Sequence, residues 1–101
     1  MADRLSLNAL FEELLGSENV YFQPPADIQM EYPAIRYKLD GIDADYADDG
    51  IYLQHREYEV TLIDHNPDSE YIDKLHSIHF STFSRHYAAD GLNHWVFKLT
   101  Y

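Results

Sequence analysis

Leu7, Leu10, Phe11, Leu14 and Leu15 fall at i, i+3, i+4, i+7 and i+8, the spacing that lines one side of an α-helix. Asp3 or Ser6 can cap its start and Gly16 can end it, which predicts a helix over residues 3–15. Val20-Tyr21-Phe22-Gln23 is a short β-prone run stopped by Pro24-Pro25. After Tyr32-Pro33, Ile35, Tyr37 and Leu39 alternate with Arg36, Lys38 and Asp40, so one side of a strand is apolar and the other charged. Residues 40–50, DGIDADYADDG, lack any period and read as a loop. A long strand is expected from Ile51 to Ile63, with Tyr58, Val60 and Leu62 on one face and Glu57, Glu59 and Thr61 on the other. Arg36 and Lys38 are expected to meet Glu57 and Glu59 as cross-strand pairs.

Pro67 suits a first helical turn, and Asn66 or Asp68 can cap it. Tyr71, Ile72, Leu75 and Ile78 then carry a helical stripe to about residue 78. The last third predicts a hairpin, residues 80–87 and 93–101, turning at Ala89-Asp90-Gly91, because Asp-Gly supplies the positive φ angles of a tight turn. The order α-β-β-β-α-β-β predicts a single α+β domain over residues 1–101. Its sheet should be mostly antiparallel, with both helices packed on one face and the other face polar and open.

Composition narrows this picture. The 101 residues suit one core. The chain has no cysteine, which removes disulfides, thiolate chemistry and Cys-ligated metal. Eighteen acids against seven Lys and Arg give a formal net charge of −11. That charge speaks against neutralising phosphates or anionic lipid, but suits a passage through which DNA slides without adhering. There is no apolar run of membrane-spanning length and no signal-peptide pattern at the N-terminus, so the expectation is a soluble, non-secreted protein.

Two stretches invite a sharper reading. Glu18-Asn19-Val20-Tyr21-Phe22-Gln23 looks like the recognition site of a potyviral protease used to remove tags, yet Pro24 follows where Gly or Ser would be needed, so it reads as a native strand. Asp64, Asn66 and Asp68 open like a calcium loop, but Ser69 replaces its glycine and Leu75 its final glutamate, which leaves a helix-capping turn.

Candidate chemistry is sparse. Asp73, His76 and His79 recur every three residues and could offer zinc ligands, or be solvated helix-surface groups. His86 and His94 flank one turn and could form a pH-sensitive pair. No serine sits in a nucleophile elbow and no glycine loop could cradle a phosphate. No enzyme and no cofactor is expected.

NVYFQPP after a first helix, then YPAIRYKLDGIDADYAD, then REYEVTLIDHNPDSEYIDKL, and finally RHYAADGLNHWVFKLTY resemble, in the same order, the small tail terminator (tail completion, head–tail joining) proteins of long-tailed bacteriophages and prophages. The likeness runs from Leu7 to Tyr101. It implies a compact subunit of a six-fold ring in the virion, assembled in the host bacterial cytoplasm. The ring caps the finished tail tube, stops its growth and offers a docking surface to the head–tail connector, with DNA passing through without specific binding. Its partners would be itself, the tube protein and the connector, with no membrane.

The family brings no catalytic residues. Asp40, Asp43, Asp45, Asp48 and Asp49 become the candidate loop for a ring neighbour or the tube. Arg36, Lys38, Glu57, Glu59 and Lys98 become the candidate intersubunit or lumen face. An acidic DNA-mimic inhibitor of a nucleic-acid-binding protein is the alternative that the net charge suggests. A small α+β enzyme using His and Asp as acid and base is a second.

Overall fold

A computed structural model describes residues 4–24, 29–47, 50–78 and 81–100; for 43–47 and 50–55 it fixes the backbone path alone. The elements are α1 (Arg4–Leu15), β1 (Val20–Phe22), β2 (Ala34–Ala47), β3 (Gly50–Asp64), α2 (Tyr71–His76), β4 (Ser81–Ala89) and β5 (Leu92–Thr100). The fold is α+β, with the expected order. One five-stranded sheet runs β1-β2-β3-β5-β4. Only β1 and β2 pair in parallel.

The helical stripe does what its spacing predicts. Leu7, Phe11 and Leu15 of α1 are buried, and Leu10 and Leu14 pack beside them. Beneath lie Ile35 and Tyr37 of β2, Tyr58, Val60 and Leu62 of β3, and Trp95, Phe97 and Leu99 of β5; Leu75 of α2 joins the same cluster. Both helices therefore cover one face of the sheet. Each fully buried Leu, Val or Phe here contributes about 1.5–3 kcal/mol of transfer free energy.

Tyr37 ties α1 to the sheet. Its ring meets Phe11 at 5.2 Å, Phe22 at 5.0 Å and Tyr58 at 5.9 Å. Its hydroxyl donates to Asn8 Oδ1 at 2.7 Å and accepts from Arg4 Nη1 at 3.5 Å. The Arg4 guanidinium also lies 4.5 Å over the Phe22 ring, closing the outer end of the cluster. Burial, partly offset by Arg4, raises the Tyr37 pKa.

Two local readings change. The described part of the expected loop, residues 40–47 and Gly50, is strand. β2 continues to Ala47 and β3 starts at Gly50, with Asp48 and Asp49 outside the described residues. Backbone pairing with β3 overrides the low strand propensity of aspartate and glycine, aided by register shifts at Leu39/Gly41 and Asp45/Tyr46. The second helix also begins later than Pro67 suggests. Asp64 Oδ1 accepts from the Asn66 amide and Asn66 Oδ1 from the Asp68 amide, making successive side-chain turns. Buried Ser69 accepts from the Tyr71 amide, and Glu70 at the helix start makes no side-chain cap.

The final hairpin turns where Asp-Gly predicts. Asp90 has φ 55° and Gly91 φ 74°, the left-handed pair that a two-residue hairpin requires.

Candidate functional site

The face away from the helices carries a lattice of charge. β3 places Glu59 opposite Lys38 of β2 on one side and Lys98 of β5 on the other. Lys38 Nζ lies 3.8 Å from Glu59, and Arg85 Nη2 of β4 reaches across β5 to the same carboxylate at 3.6 Å. Lys98 Nζ reaches across β3 to Asp40 at 2.7 Å. This short bond holds the Asp40 carboxyl below its ordinary range and raises Lys98. Four of the chain's seven Lys and Arg side chains (Arg36, Lys38, Arg85 and Lys98) come from strand positions of this one face. In a chain of net charge −11, the face is thus a local concentration of cations.

The expected pairs form in part. Lys38 and Glu59 meet. Arg36 does not meet Glu57: the register sets Arg36 opposite Thr61 and Glu57 opposite Gly41. Strand-level alternation reveals which face a residue takes but not how far the partner slides, and the register that sets Lys38 opposite Glu59 already leaves Glu57 beyond the reach of Arg36. Arg36 and Lys38 instead line a shallow groove of about 510 Å³ with Gln23, Pro24, Glu59 and Thr61.

The face is also not polar throughout. Thr61, Ile63, His94 and Val96 are buried on it, outside the helix-covered core. Tyr87 stacks on His94 with ring centroids 4.6 Å apart and planes 9° apart. Burial lowers the His94 pKa, and the Arg36 charge acts in the same direction.

Sequence reasoning missed Arg85 as part of this face. A register shift between Phe83 and Arg85 sets its place, and only the turn at Asp90-Gly91 hinted at the pairing. His86 and His94 do not form a pair. His86 stands opposite Trp95, ring centroids 5.4 Å apart, while His94 lies on the other face with Tyr87.

The helix side offers a smaller groove of about 410 Å³ between α2 and β4, lined by Ile72, Asp73, His76, Phe83, His86 and Trp95 among others. Among the described residues no three acids or histidines are placed to hold a metal ion; His79, the third residue of the suspected zinc set, lies outside them. No described helix is long and apolar enough to cross a membrane.

The acidic stretch takes an unexpected form. β5 pairs with β3 from Glu57 inward, and β1 pairs with β2 only at Ile35, Arg36 and Tyr37. Beyond Gly41 and Glu57 the β2–β3 hairpin runs on as two strands, through Ile42↔Arg56, Asp43↔His55, Ala44↔Gln54 and Asp45↔Leu53 to Ala47↔Gly50. At about 3.3 Å per residue it projects roughly 20 Å from the sheet, in a molecule 51 Å long and 25 Å by 23 Å across. Asp43 and Asp45 sit on this arm, Asp40 at its base.

The chain finds no match among protein-family models, curated proteins or solved structures.

Proposed function

We propose that the chain is a structural subunit of a phage or prophage tail. In this reading it forms a ring, six-fold by the family resemblance, on the head-proximal end of the tail tube. The ring ends tube growth and gives the head–tail connector its docking surface. DNA passes through without specific binding, and no catalysis is involved.

The observation that carries this reading is the two-stranded arm. A hairpin with only two strands is marginal in water. One that extends about 20 Å past its sheet exposes backbone donors and acceptors on both margins. Such an element gains its stability from a partner, which is what a subunit of an assembly has. The sign-alternating face adds a second contact surface suited to fixing register between subunits. A DNA mimic would need carboxylates laid out over a face; here the sheet face away from the helices gathers Arg36, Lys38, Arg85 and Lys98 instead.

The deciding experiment is electron microscopy of tails made without this protein. Overlong tubes that fail to join heads are expected. Tubes of normal length joined to heads would reject the role. Replacing Asp45, Asp48 and Asp49 by Ser should impair joining, and reversing Arg36 and Lys38 to Glu should impair ring formation.

A further inference from the structure

The sheet ends in two free margins of opposite charge. β4 is an outer strand, exposed along nearly its whole length, and carries Arg85, whose half-exposed guanidinium also reaches inward to Glu59, and His86, with no acid. On the other side β1 stops at Phe22, Gln23 turns away with φ 43°, and Pro24 follows. Among the described residues no strand pairs with this margin of β2 beyond Tyr37. From Asp40 to Ala47 that margin carries Asp40, Asp43 and Asp45 and no base. The other margin of the arm, on β3, ends in His55 and Arg56 and has the wrong sign to meet β4.

We propose that β4 of one copy pairs with the arm segment of β2, Asp40–Ala47, of a second copy, joining subunits head to tail into one continuous sheet. The directions fit. β2 and β5 run one way, β3 and β4 the other. A neighbour in the same orientation therefore lays its β2 antiparallel to β4, the more stable pairing. Contact is between unlike surfaces, so it propagates, and closes if the geometry allows.

The offset favours closure. Through Ser81↔Leu99↔Tyr58↔Leu39, β4 stands level with the inner half of β2, not with the arm. Bringing β4 beside the arm shifts each copy by about 20 Å along the strands while the sheet advances four strand spacings, roughly 19 Å. That ratio tilts the strands by about 45°, the upper end of the range at which sheets close on themselves. β4 then occupies the column that Pro24 keeps β1 from filling. The register shift at Phe83/Arg85 and the Arg85 charge guard this margin against indiscriminate strand pairing, while an acidic partner is admitted.

The pairing rests on the ring reading for its closure, and its test separates the two. The chain has no cysteine of its own. Single-cysteine variants of the full chain, Thr82→Cys or Ser84→Cys on β4 and Ile42→Cys or Ala44→Cys on β2, are mixed at high protein concentration and low salt and oxidised. Disulfide-linked β4–β2 dimers should exceed β4–β4 and β2–β2 dimers severalfold. Arg85→Glu in the β4 variant should cut the yield severalfold, and Asp43→Lys with Asp45→Lys in its partner should restore it. No cross-link, or like-with-like cross-links alone, would overturn the pairing, even if rings were seen on tails. A β4–β2 cross-link in a protein whose loss leaves tails normal would keep the pairing and remove the tail role.

Discussion

Replacing Tyr37 by Phe isolates one hydrogen bond at the junction of α1 and the sheet. The ring, with its contacts to Phe11, Phe22 and Tyr58, stays in place. What disappears is the 2.7 Å bond from the hydroxyl to Asn8 Oδ1 and the longer one from Arg4. A typical intramolecular bond is worth about 1 kcal/mol net, and an acceptor stranded by its loss adds up to about 1–3 kcal/mol. Asn8 is only half-buried and also holds Glu12 through its Nδ2, so water can reach its oxygen and the cost falls near about 1–2 kcal/mol. For a domain of this size the melting temperature should drop by about 4–8 °C per kcal/mol.

Thermal and urea unfolding of wild type, Tyr37→Phe, Asn8→Ala and the double variant form the test. The two single losses should overlap, because each breaks the same bond, giving a coupling of about 1 kcal/mol. Strict additivity, or a Tyr37→Phe melting point equal to wild type, would refute the assignment. The pH dependence gives a second readout. The folded Tyr37 pKa is raised above the unfolded value, so its stabilisation is present below about pH 10 and is lost as pH climbs from there through the folded pKa. Tyr37→Phe should lose less stability on that alkaline limb than wild type.

Gly91→Ala places a Cβ at φ 74° with no neighbour to clash, so it should destabilise by about 1–2 kcal/mol through backbone strain alone, read from urea midpoints. The folded His94 pKa is lowered, so wild type should lose stability as pH falls from about 6.5 through the folded value, and His94→Asn should flatten that limb in titrated urea melts. Asp40, whose pKa is also lowered, contributes in a separate and more acidic window, below the ordinary carboxylate pKa, and Asp40→Asn should alter only that one. Pro24→Ser completes the protease-like site at Gln23, yet cutting of the native protein should be far slower than of the urea-unfolded chain. Val20–Phe22 of the site form β1 and Gln23, just past it, donates its amide to the Tyr37 carbonyl, so cleavage must wait for local opening; equal rates would show that β1 is not formed.

Side-chain periodicity carried the fold in this chain. The leucine stripe, the alternation around Tyr37 and Val60, and the Asp-Gly turn each reflect a local rule that tertiary packing reinforced. Register, strand order and bulges escaped because they depend on which strand arrives alongside. The Asp-Gly turn sets β4 beside β5, but no local signal shows that β5 pairs with β3, where Val60 stands opposite Phe97 in the core. The same limit blurred the candidate surfaces. Lys38 and Glu59 could be paired by alternation, whereas Arg85 joined them only through a shift in β4. Residues 40–50 were misread for the opposite reason: aspartate and glycine describe a preference of the isolated chain, and backbone pairing outvoted it.

The hairpin that outruns its sheet separates two kinds of selection. Residues inward of Gly41 and Glu57 answer to the shared core, where one lost methylene is felt throughout. Those farther out owe that core nothing by strand pairing, so they can drift to follow a changing partner while the body stays folded. A lineage could thereby revise what it recognises at little risk to what keeps it intact, and an engineer could shorten or exchange the same segment on an unchanged body.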